Sequence, residues 1–165
     1  MTTIRQYRNK DAIAVGKLIA DTYSEFNLSF VPPRELGLFL GPFQYANSPD
    51  KDHQEAIAKV IQSEMVFVAE DGGRIVGVLR GRSDRLASLF VSGRFHRQGV
   101  GRKLVQRFET ECLNRNTNAI KVSATLQAVP FYLAMGYKRT TGIRSGGSFE
   151  GTGLPVQPMK KWLQE

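Results

Sequence analysis

Cysteine is almost absent from this chain, with Cys112 the only one. No intramolecular disulfide can form. Cys112 with His53 and His96 is too small a ligand set for a structural zinc site, so no metal is expected. Long apolar runs are missing as well. No window approaches the ~18 apolar residues that a membrane span requires, and Met1-Thr2-Thr3-Ile4-Arg5-Gln6 has no apolar core of a secretory leader. The expectation is a cytoplasmic protein without membrane contact. Acidic residues are outnumbered, 15 against 23 basic ones, for a formal charge of +8. This excludes an acidic disordered tail and points to an anionic partner. What is present suits one unit: 165 residues, 41% hydrophobic, suffice for one core and not two, so 1–165 reads as a single domain.

Residues 3–7 form a β-type run, and 11–26 place Ile13, Leu18, Ile19, Thr22 and Phe26 on one side at helical spacing. Over 27–52 the pattern dissolves into Pro32-Pro33, Gly41-Pro42 and Ser48-Pro49, with Phe30, Phe39, Phe43 and Tyr45 between them. An insertion of this length reads as a lid or binding loop with a short helix at 33–40, most of its aromatics packed under the domain. A helix over 48–62 follows, behind the candidate caps Ser48 and Asp50. Segments 65–70 and 75–82 flank Asp71-Gly72-Gly73, a hairpin turn sequence. Next come a strand at 86–91, a helix at 100–114, a strand at 120–124, a short helix at 128–135 ended by Gly136, and a strand at 137–141. After the glycine-rich stretch 142–153, a last strand at 154–162 should be interrupted by Pro155 and Pro158. The order defines a mixed α/β domain.

The chemistry concentrates in Leu89-Phe90-Val91-Ser92-Gly93-Arg94-Phe95-His96-Arg97-Gln98-Gly99-Val100-Gly101-Arg102-Lys103-Leu104. An apolar strand ends at Val91, a basic loop follows, and Gly99 and Gly101 stand where the helical pattern Val100, Leu104, Val105, Phe108, Cys112 begins. A helix N-terminus offers unpaired N–H groups and partial positive charge, and glycine lets a bulky phosphate approach them. Arg97, Arg102 and Lys103 add mobile cations, so the site favours an anion with more than one phosphate. A P-loop spacing is not matched, and a dinucleotide fingerprint lacks its third glycine, at Leu104. Two glycines alone are equally compatible with a tight strand-to-helix turn whose arginines are merely solvated.

The run Val91-x-Gly93-x-Phe95-His96-Arg97-Gln98-Gly99-Val100-Gly101 resembles the acetyl-CoA pyrophosphate loop of the GCN5-related N-acetyltransferase (GNAT) family. The core pattern there is Gln or Arg, two residues, Gly, one residue, then Gly or Ala. Thr125-Leu126-Gln127-Ala128-Val129-Pro130-Phe131-Tyr132-Leu133-Ala134-Met135-Gly136-Tyr137 is similar to a second family block, with alanine three and tyrosine seven residues after its first position. His96 stands where the loop usually has Gln or Arg, and Thr125 where the family often has Asn. The resemblance implies a mixed, mostly antiparallel sheet of about seven strands splayed between strands 4 and 5, flanked by about four helices.

It further implies acetyl-CoA as co-substrate, held by His96, Arg97, Gln98, Gly99, Val100, Gly101 and Arg102 at the diphosphate. Phe90, Val91 and Thr125 would lie along the pantetheine arm, and Tyr132 would be the general acid at the thiolate. The acceptor would be a small-molecule or peptide amine shaped by 27–52 and 142–153, and a homodimer is common among relatives. The general base is not legible: Asp84 and Glu70 are the nearest acids to the central strands, and His96 belongs to the loop. Cys112, on an apolar helix face, reads as a buried inert thiol. Two other classes stand beside the enzyme: a non-catalytic acyl-CoA sensor, and a basic nucleic-acid-binding module suggested by Arg94, Arg97, Arg102, Lys103 and Arg107.

Overall fold

A central sheet organises the molecule, seen in a computed structural model that describes residues 1–146, 149 and 153–163. Strand β1 (Thr2–Gln6) leads into helix α1 (Ala12–Thr22), the segment carrying α2 (Leu36–Leu40), and helix α3 (Lys51–Ile61). Strands β2 (Met65–Asp71), β3 (Arg74–Arg82) and β4 (Arg85–Val91) follow, then α4 (Val100–Asn114), β5 (Ala119–Thr125) and α5 (Val129–Ala134). Two short strands, β6 (Lys138–Arg139) and β7 (Arg144–Ser145), precede β8 (Pro155–Trp162). The strand order is β1-β2-β3-β4-β5-β8-β6, with β7 also on β8. Every pairing is antiparallel except β4 with β5. No helix among the described residues is long and apolar enough to cross a membrane.

Local sequence explains most elements. Asp71 pairs with Arg74, and Gly72 and Gly73 both take positive φ, the two-residue turn whose twist suits adjacent strands. Asp50 caps α3 by accepting from the Asp52 and His53 N–H groups at 2.8 and 3.3 Å. Gly136, at φ 93°, follows the last turn of α5 in the conformation that ends helices.

The sheet separates two cores. On one face Leu104, Val105, Phe108 and Cys112 of α4 join Phe67, Leu79, Leu86, Ile120 and Tyr132. On the other, Val15 and Ile19 of α1 and Ile57 and Ile61 of α3 join Leu28, Phe43, Val68 and Val78.

Three sequence expectations change. The buried stripe of α1 is Val15, Leu18, Ile19 and Thr22, while Ile13 and Phe26 are exposed. After Thr22 the helix widens into an i→i+5 turn, with Leu28 N–H donating to Tyr23 O at 2.9 Å, and this rotates Phe26 off the stripe. The 27–52 segment is packed rather than loose, through Leu28, Val31, Leu40, Phe43 and Ala46; of its aromatics Phe43 and Phe39 pack, but Phe30 and Tyr45 are exposed. The last strand is unbroken. Pro155 opens it, and Pro158 accepts the Thr140 N–H but has none to return, while the neighbouring Gln157 Nε2 donates to Thr141 O at 2.7 Å. The companion strand thereby shrinks from the expected 137–141 to Lys138–Arg139.

Candidate active-site cleft

Strands β4 and β5 meet only at Arg85 with Lys121 and Leu86 with Val122. Beyond these pairs they diverge. A bulge promotes the split: Gly81 pairs with Leu86 and Arg80 with Ser88, which leaves Ala87 without a partner in β3. Ser92 N–H bonds Val76 O, and by the alternation of an antiparallel ladder Phe90 and Ser88 also turn their backbone groups to β3. Leu89 and Val91 thus turn theirs to the open edge.

The gap is a cavity of about 290 Å³ passing between the two sheet faces. Leu86, Leu89, Val122, Ala124, Ala128 and Tyr132 line it towards α4 and α5; Tyr23, Val60, Arg80, Phe90, Phe149 and Val156 line it towards α1 and α3. Asn27 Nδ2 donates to Thr125 Oγ1 at 3.3 Å and Gln127 Nε2 to Phe26 O at 3.1 Å, so the end of α1 is clasped to the end of β5 across the opening.

At the outer end of the cleft, α4 begins with Gly99 at φ 80°, after Arg97 at φ 63°. The first turn of the helix is closed by Lys103 N–H donating to Gly99 O at 3.0 Å. No side chain caps the N–H groups at this end, and no acidic side chain occupies the first turn. A Cβ on Gly99 would meet nothing within 4 Å, while one on Gly101 would touch Phe131 at 3.4 Å. The helix mouth is therefore open, positive and free of side-chain caps. Val100 is buried beneath it, and Arg97 and Arg102 stand around it.

His96 Nε2 lies 2.7 Å from Val91 O, so that nitrogen carries a hydrogen, and the ring rests 4.5 Å from that of Phe26. Gln98 Nε2 donates to Arg94 O at 2.9 Å. Both side chains thus brace the loop from within.

Tyr132 is buried, its ring edge-on to Phe131 and Tyr137 at 5.1 and 5.5 Å. Its hydroxyl has no hydrogen-bond partner among the described residues, and burial pushes the phenol well above its ordinary pKa. Tyr137 differs: its hydroxyl donates to Glu109 at 2.9 Å, and Glu109 also takes Lys161 at 3.0 Å. Cys112 is fully buried and its thiol is pushed up to about 12 by desolvation, which leaves it un-ionised at neutral pH.

The acids singled out from the sequence lie elsewhere. Asp84 is exposed and paired with Arg82, and Glu70 bonds Arg5 at 3.3 Å; neither lines the cleft. No carboxylate or imidazole among the described residues does. Sequence reasoning missed Tyr23, Arg80, Ser88 and Phe149. The signal for Arg80 was available: a lone cation inside the apolar strand Val76-Gly77-Val78-Leu79-Arg80-Gly81.

The site is thus a sheet split between parallel neighbours beside an uncapped helix mouth. The sequence profile of the acetyltransferase (GNAT) domain matches residues 41–163, and the chain belongs to that family. Among solved structures, the PaiA N-acetyltransferase of Thermoplasma acidophilum in complex with coenzyme A has a TM-score of 0.73 at 12% identity, covering 98% of this chain and 99% of that one. A GCN5-related N-acetyltransferase of Rhodopseudomonas palustris has a TM-score of 0.71 at 19% identity, covering 99% and 96%. YncA of Salmonella typhimurium, solved with acetyl-CoA, has 0.62 at 18%, covering 100% and 95%. These structural likenesses show a shared fold. No curated protein matches the chain in sequence.

Proposed function

We propose that the protein is an acetyl-CoA-dependent N-acetyltransferase acting on a primary amine by direct attack in a ternary complex. The observation that carries this reading is the nearness of the uncapped α4 mouth to the wall of the β4–β5 passage: a Cβ on Gly101 would stand 3.8 Å from Cδ2 of Leu89, which lines that passage. Diphosphate binds the N–H groups of residues 97–102, where Gly99 and Gly101 permit close approach, with Arg97 and Arg102 neutralising its charge. His96 and Gln98 hold the loop in shape, and Val100 anchors the first turn in the core. The pantetheine arm runs along the open edge of β4, where Val91 offers its N–H, past the Phe90 side chain and Thr125. Its thioester reaches Tyr132.

The amine nitrogen attacks the thioester carbonyl carbon, the carbon–sulfur bond breaks, and the thiolate takes the Tyr132 hydroxyl proton. The proton shed by the acylated nitrogen restores Tyr132. A phenol whose pKa is raised by burial stays protonated across the working range but is a weaker acid than a thiol of ~8.5, so its transfer to the thiolate is uphill on its own and is drawn forward by the far more acidic acylated nitrogen, which returns a proton to the phenolate. With no carboxylate or imidazole lining the cleft among the described residues, the ammonium loses its first proton to water. Alignment of the two reactants supplies the larger part of the acceleration.

Calorimetry with acetyl-CoA tests the binding half: absence of binding at micromolar protein removes the acetyltransferase reading. Free-thiol release with a panel of amines tests the chemistry. The lack of a base side chain in the described cleft also supports a second reading, an acyl-CoA sensor, which binds acetyl-CoA and releases no thiol with any amine.

A further inference from the structure

We infer that Arg80 docks an anionic group of the acceptor, so that the acceptor is a small amine carrying a carboxylate. The inference rests on the acetyltransferase reading of the cleft and names the substrate class of that site.

Arg80 lies in mid-sheet on β3, beside the bulge of β4, and its guanidinium lines the cleft on the face of α1 and α3. Nε donates to Ile61 O at 2.9 Å, Nη2 to Val60 O at 2.7 Å and Nη1 to Ser88 Oγ at 3.2 Å. Those bonds occupy three of the five N–H groups of a guanidinium and leave two. The carbonyls belong to the last turn of α3, whose end carries roughly half a negative charge, so the backbone offsets only part of the cation. No carboxylate among the described residues pairs with it. A half-buried arginine without an acid partner is costly to keep, and burial lowers its pKa.

The surroundings supply a place for the rest of the ligand. Tyr23, Phe90 and Phe149 meet edge-on or tilted with centroids 5.7 to 5.9 Å apart, and Phe149 lies 5.6 Å from the guanidinium. Phe149 holds φ 35°, a strained backbone for a bulky residue, while keeping its ring in this wall. An apolar skeleton fits against the rings, and a carboxylate matches the planar fork of Arg80. The cavity of about 290 Å³ limits the ligand to a small molecule or one residue of a chain.

The test uses matched acceptors, leucine with leucinamide and phenylalanine with phenylalaninamide, on the wild type, Arg80→Lys and Arg80→Gln. Calorimetry with acetyl-CoA is run first on every protein. The Arg80 Nε–H resonance of the wild type, bound to desulfo-coenzyme A, is then followed by NMR as each acceptor is added. Expected are a shift of that resonance with the acid and not its amide, and a KM for the acid raised about ten- to a hundred-fold in Arg80→Gln, less in Arg80→Lys. Absence of a shift with either acid overturns the proposal regardless of turnover. An equal loss for acid and amide in Arg80→Gln also overturns it, since that marks an α3 cap alone. Loss of acetyl-CoA binding by the wild type instead refutes the underlying acetyltransferase reading.

Discussion

Replacing Tyr132 by phenylalanine removes one oxygen and isolates the proposed chemical step from folding and cofactor binding. The ring keeps its edge contacts with Phe131 and Tyr137, and the lost hydroxyl has no protein partner among the described residues. Stability should change by less than about 1 kcal/mol, a melting shift of no more than about 4 °C for a chain of this size. General-acid assistance contributes about 10²- to 10⁴-fold, so kcat should fall at least about a hundred-fold, equivalent to about 2.7 kcal/mol in the barrier. Acetyl-CoA affinity should stay within about twofold of wild type, because the diphosphate cradle lies on another element. Thiol-release kinetics and calorimetry on the same preparation measure both quantities. Because burial raises the Tyr132 pKa, wild-type kcat should show no decline from this group up to its ordinary value of 10. A kcat within threefold of wild type, or a loss of affinity matching the loss of rate, would refute the assignment.

Gly99→Val forces a β-branched residue into φ 80° at the helix mouth; acetyl-CoA affinity should drop at least about tenfold, whereas Gly72→Val, equally strained in the hairpin, should leave it unchanged by calorimetry. At Gly81 an added Cβ would lie 2.8 Å from Arg85 O and 2.7 Å from the Phe108 ring, so Gly81→Ala should cost about 1–3 kcal/mol in urea denaturation; an unchanged midpoint contradicts this close approach. The raised pKa values of Cys112, Tyr132 and Tyr137 mean that the folded chain holds these protons more tightly than the unfolded one. Stability should be complete below about pH 9, fall as pH rises past the ordinary thiol value, and fall faster past 10; urea melts that are flat from pH 9 to 11 would contradict it.

Much of this protein follows from local chemistry. The Gly72-Gly73 turn, the Asp50 cap, the start of α4 at Val100 and the stop at Gly136 each depend on a few neighbouring residues. They could be placed before any tertiary contact was known, as could the two motif blocks that carry the family resemblance. The splayed sheet was legible through that resemblance, and the bulge at Ala87 gives it a physical cause.

Other features depend on what the chain meets in space. Helical spacing put Phe26 on the core stripe of α1, but the widened turn sends its ring to His96, 70 residues away in the chain. Pro158 looked like a strand breaker, yet its missing N–H faces Thr140, just past a two-residue strand, and Gln157 holds the next residue through Thr141 O. Arg80 is the clearest case. Its charge was visible in the sequence, but only packing brings the end of α3, Ser88 and Phe149 around it, because periodicity reports which face a side chain takes and not which distant groups share that face.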